Sequence, residues 1–160
     1  MREPDTQGDH LRVHTGSELP NMSGSNDTGA RSAELRAALD SIGTIRRLTN
    51  RGPDATARPA EWERRRLLRT VSLLLEAEGI PPSAASEDGE PVRVGYRTSE
   101  GDRLGQVLVR WVGPRGSGVR FQEHEHLLRC QTVLRTWGFE ALEVLGPGGR
   151  RFLEVEAGPA

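Results

Sequence analysis

The chain has no lysine: all 22 of its basic residues are arginine. A GC-rich, bacterial-type genome accounts for that bias most simply, so arginine as such carries little chemical information here. Cysteine is almost as scarce. The single Cys130 excludes an internal disulfide framework and fits a reducing compartment. Long apolar runs are missing too. The longest, around residues 71–75, falls far short of a bilayer span, and the N-terminus carries no basic–apolar–small signal. A cytoplasmic location with no membrane partner is the expectation. An excess of one charge is also lacking, and a net charge of −1 gives no global attraction to nucleic acid or anionic lipid. No Gly-x-Ser-x-Gly elbow, His-Glu-x-x-His pair or dinucleotide fingerprint occurs, and the carboxylates show no spacing that singles out an acid–base pair. No cofactor is expected.

What is present is enough chain, 160 residues, for one domain with its own core and a tail. Residues 1–31 offer only Leu11, Val13, Leu19 and Met22 as sizeable apolar groups, too few to offset the entropy of ordering. They are expected to be a disordered tail, with Met22 an alternative start. From residue 32 to 160 the pattern predicts a single α+β domain: a helical pair over 33–78, a linker at 83–90 and a ββαββ unit over 91–157.

Ser32 suits the N-cap of the first helix, whose apolar residues Leu35, Ala38, Leu39, Ile42, Ile45 and Leu48 recur at helical spacing. The second helix, 59–78, opens on Pro59 and stops at Gly79 before Pro81 and Pro82. Its apolar arc is wide enough to need cover on more than one side, which makes it central to the core or to a self-association. Alternating Val92, Val94, Tyr96 and Thr98 then pair with 104–112 as a hairpin. A short strand at 119–121, a helix at 123–137 and a hairpin across "GPGG" complete a largely antiparallel sheet.

Three features carry candidate chemistry. In "GPRGSGVR" the glycines at 113 and 118 have the separation of a phosphate-binding loop. Such a loop needs lysine and a hydroxyl after the last glycine, where this chain has Val119 and Arg120, and Pro114 removes an amide. A turn is expected. In "EHEH", His124 and His126 lie about 200° apart on a helix and cannot chelate together. His126 and Cys130, at i and i+4, are better spaced for a metal or thiol site, but Cys130 falls in the apolar arc with Leu127 and Leu134. A core cysteine beside a boundary histidine is the expectation, and a small metal- or thiol-dependent enzyme built on His126 and Cys130, with His124, is the alternative.

The third feature is electrostatic. Eight arginines (46, 47, 51, 58, 64, 65, 66, 69) face three acids (Asp54, Glu61, Glu63) in the helical pair. Phosphates would be held by such a surface through bidentate hydrogen bonds. Arg65, Arg66, Arg69, Arg46 and Arg47 are therefore the candidate partner-binding residues. After residue 80 the charges nearly balance, which neither favours nor opposes an inhibitor or immunity-type role. The helix–meander–helix order is similar to that of double-stranded-RNA-binding domains. Their last helix opens on a lysine-rich motif, whereas "QEHEHLLRC" is acidic and lacks lysine, so no family is assigned. The sequence specifies no reaction. It points to a non-enzymatic interaction or accessory protein that binds a protein partner, another copy of itself or nucleic acid through the arginine-rich helical pair.

Overall fold

The computed structural model describes residues 11–20 and 28–159. The expected α+β class holds: the described residues form four α-helices, a four-stranded antiparallel sheet and a two-stranded sheet. In chain order the elements are α1 (Thr28–Thr49), α2 (Glu61–Arg65), α3 (Leu67–Ala77), β1 (Ala84–Ala85), β2 (Pro91–Arg93), β3 (Gly95–Glu100), β4 (Gln106–Val112), α4 (Val119–Thr136), β5 (Glu140–Leu145) and β6 (Arg151–Glu156). The main sheet runs β3–β4–β6–β5. One face buries Tyr96, Val107, Val109, Trp111, Leu153, Val155 and Ala141 against α3 and α4. Among the described residues no helix is long and apolar enough to cross a membrane.

The wide apolar arc of the second helix is absorbed by the core. Val71, Leu74 and Leu75 are fully buried in α3, against α1, α4, β3 and β4. This helix is not the continuous 59–78 expected. It breaks at Arg66 (φ −123°, ψ 50°), with neither Gly nor Pro to mark the place. Glu63 ties α2 back to α1, whereas α3 is held by the sheet. The first helix starts at Thr28 rather than after Ser32, because Arg31 pairs with Glu76 of α3 at 2.7 and 2.8 Å and anchors the extra turn.

Three local expectations are corrected. Residues 11–20 are not a loose tail: Leu11 and His14 are buried, Tyr96 donates its hydroxyl to His14 O at 2.7 Å, and Thr98 N donates to Thr15 O at 2.7 Å. Residues 1–10 and 21–27, including Met22, lie outside the described residues. The strand expected over 92–98 is split in two. At Gly95 the chain passes so close to residues 81–83 that a Cβ would meet Ser83 N at 2.4 Å, and Tyr96 bridges Pro82 in parallel. Part of the 83–90 linker is thereby drawn in, with Ser83, Ala84 and Ala85 buried and β1 paired to β2. Finally, 119–121 is not a strand. Gly118 takes φ +73° and α4 begins directly after it.

Candidate interaction surface

Three of the eight arginines of the helical pair, Arg46, Arg64 and Arg69, are committed to the fold. Arg46 is 1% exposed and forms a bidentate pair with Glu63, equally buried, at 2.8 and 2.6 Å. It also donates to Thr56 O at 2.9 Å and lies over the rings of Trp137 and Phe139. Arg46 is a strut between α1, α2 and the end of α4, so it cannot meet a partner. Arg69, half-buried, donates to Leu11 O at 2.8 Å and holds the N-terminal segment. Arg64 donates to Gly158 O and Pro159 O near the other end of the chain. Of the five candidates, Arg47, Arg65 and Arg66 remain exposed. Arg65 is paired with Glu61 at 3.3 Å, and Arg47 donates to Thr44 Oγ1 at 3.1 Å.

The glycine loop closes on itself, with Ser117 donating through N and Oγ to Pro114 O at 3.1 and 2.5 Å. On α4 the two histidines separate as helical geometry requires. His124 is exposed, with Nδ1 2.8 Å from the Glu143 carboxylate, while Arg151 reaches the same group at 3.5 Å. His126 stacks on Trp111 with centroids 4.1 Å apart and planes 8° from parallel. Its Nδ1 and the Trp111 Nε1 are buried without a hydrogen-bond partner. Cys130 is fully buried between Leu127 and Leu134, and burial pushes its thiol up to about 12, against a smaller opposing pull from Arg129. Among the described residues no three His, Cys, Asp or Glu side chains are grouped to hold a metal ion.

A different surface emerges along β5, which has a sheet neighbour on one side only. Gly146 N donates to Arg150 O, so the even-numbered residues of β5 bond to β6 and the backbones of Ala141, Glu143 and Leu145 point away. Gln131 and Arg135 of α4 cover the Ala141 carbonyl at 3.0 Å each, and there the cover ends. Phe121, Leu128 and Leu145 flank the rest of the edge at 92%, 50% and 62% exposure. On the helix, Phe121 and Leu128 sit about 40–60° beyond His124, the residue that touches β5. An open strand edge therefore runs beside a partly apolar helix rim, with the His124–Glu143 pair between them. Sequence reasoning missed this surface. The available signal was that Phe121 and Leu128 share a helix face outside the Leu127–Cys130–Leu134 arc.

The opposite edge is partly covered. On β3 both outward groups of Tyr96 are taken by Pro81 and Ser83, and the amide of Thr98 by Thr15 O. Comparison with protein-family profiles, with curated proteins and with solved structures gives no match.

Proposed function

We propose that the chain is a non-enzymatic interaction protein, acting in the cytoplasm, that accepts an extended segment of a protein partner along the free edge of β5. The observation that supports this reading is the unpaired backbone of Glu143 and Leu145 beside exposed Phe121, Leu128 and Leu145. Strand addition draws affinity from main-chain hydrogen bonds and specificity from neighbouring side chains, and this edge supplies both. The partner-facing role assigned from sequence to the helical pair moves here, because the apolar arc of α3 is covered within the chain. Burial of the Cys130 sulfur works against the thiol-enzyme alternative, since the thiolate is the reactive form.

The test is affinity capture from the native host with the wild-type chain, Leu145→Pro and Phe121→Glu as baits. Leu145 N–H makes no ladder bond, so proline there blocks an added strand while leaving the β5–β6 pairing intact. Proteins held by the wild type and lost from both variants support the reading, and retention by both variants overturns it. A second reading keeps nucleic acid as the partner, favoured by the exposure of Arg47, Arg65 and Arg66 near the Arg46–Glu63 junction. Replacing those three with Ala should then weaken binding across sequences and flatten its salt dependence.

A further inference from the structure

The sheet face away from the helices carries an arrangement that a lone monomer does not explain. On strands with one solvated face, polar residues normally point outward. Here the outward positions include half-buried Leu108, Phe152 and Val144 and the 60%-exposed Leu142, grouped around Glu154, and none belongs to the core. Charge on this face is sorted by sign. Arg97 stands directly across from Arg110 on the β3–β4 pair. Diagonally opposite, Glu140 stands directly across from Glu156 on the β5–β6 pair, while Glu154 stands between Leu108 and Leu142, directly across from each. Like charges directly opposite on neighbouring strands repel. Neutralisation inside the chain is partial: half-buried Arg97 donates to Gly89 O at 3.3 Å, Arg103 reaches Glu156 at 2.6 Å, and Arg110 lies over the Phe152 ring at 5.1 Å.

We infer that this face binds a second copy of the chain in a two-fold, face-to-face dimer. A two-fold contact must be self-complementary, each patch meeting its own image. Turning one copy about an in-plane axis between the two uncharged corners lays Arg97 and Arg110 of each chain over Glu140 and Glu156 of the other. The apolar residues then straddle the axis, and Glu154 meets its own image there, a like-charge contact that weakens the dimer. The strands of the two sheets cross steeply, one of the ways in which sheets stack. Both repulsive pairs gain an opposite neighbour in the same step. Acids on the face equal or exceed the arginines, which disfavours a phosphate backbone as the occupant. Four strands about 4.8 Å apart and six residues long give a footprint of about 19 by 20 Å. That is below the roughly 800 Å² per partner of a standard stable complex, so the dimer is weak and depends on chain concentration. The inference is independent of strand docking at β5.

The test is sedimentation equilibrium of the full chain up to about 1 mM, a range set by the small footprint. The wild type should show self-association. Arg110→Glu and Glu140→Arg should each weaken it about tenfold or more, the scale of a disrupted charge pair. An equimolar mixture of the two variants should recover it, because both contacts across the axis are then opposite in sign. Circular dichroism of each variant checks folding, and recovery in the mixture cannot come from misfolded chains. A wild type monomeric throughout overturns the inference. So does a dimer that Leu145→Pro abolishes and Arg110→Glu leaves intact, since its contact is then the β5 edge. Loss of RNA binding by Arg110→Glu without any self-association also overturns it.

Discussion

Glu63 is shared between two jobs: one carboxylate oxygen accepts from Ala60 N at 2.6 Å at the start of α2, and the same group receives both arms of Arg46 from α1. The helical pair is thus joined through a charge pair with no solvent around it. Breaking one side of a buried pair leaves the other charge stranded, at a cost of about 3–5 kcal/mol. Arg46→Ala and Glu63→Ala should each lose stability on that scale in urea unfolding, and the double variant Arg46→Met, Glu63→Leu should recover much of it. A single-variant loss below about 1 kcal/mol, the size of a surface pair, would contradict this reading.

The segment 11–20 should matter to stability despite its polar sequence. Gly16 has φ +90°, and a Cβ there would lie 2.2 Å from Tyr96 O. Gly16→Ala should therefore cost about 1–3 kcal/mol or release the segment, seen as lower urea stability and faster thermolysin cleavage before Met22. A chain begun at Met22 should show the same loss of urea stability. Unchanged stability in both would sink the expectation.

The same segment should loosen in acid. Burial pushes the Glu18 carboxyl up, but the His14 ring 3.8 Å away, the Thr15 hydroxyl at 2.7 Å, the Gly16 amide at 3.0 Å and the Thr15 backbone outweigh it and bring the group from 4.5 down to about 2. A depressed folded value means that the stabilisation is complete above pH 4.5 and fades as pH falls toward 2. The amide of Thr98, bonded to Thr15 O, should lose exchange protection across that window, and Glu18→Gln should abolish the dependence. A flat profile in the wild type would refute it.

Cys130 should resist thiol reagents in the native state. With its sulfur buried and its thiol held near 12, labelling by Ellman's reagent should follow the rate of unfolding and become fast in denaturant. Rapid labelling without denaturant would place the sulfur in a cleft and revive the enzyme reading.

What the sequence made legible follows from periodicity. The α1 stripe, the two hairpins and the placement of Cys130 in the core all rest on apolar spacing, and those elements are present in the structure, except that Leu48 at the end of the stripe is 80% exposed. What escaped depends on distant contacts. The start of α1 is fixed by Arg31–Glu76, 45 positions apart, and the order of 11–20 by Tyr96 and Thr98, more than 80 positions away. Arg46 reads as a surface cation because it stands among seven other arginines; only folding reveals that Glu63 claims it. The β5 edge escaped for a similar reason. A strand's place in its sheet is set by topology, and nothing within "EALEVL" states that it lies outermost.

The asymmetry of the two sheet edges restrains growth. Residues 81–83 take both outward groups of Tyr96, and Thr15 takes the amide of Thr98 on β3, so more free backbone is offered at β5 than at β3. Fibrils need two receptive edges per molecule. The short N-terminal segment laid along β3 therefore works against stacking of this fold edge to edge in both directions.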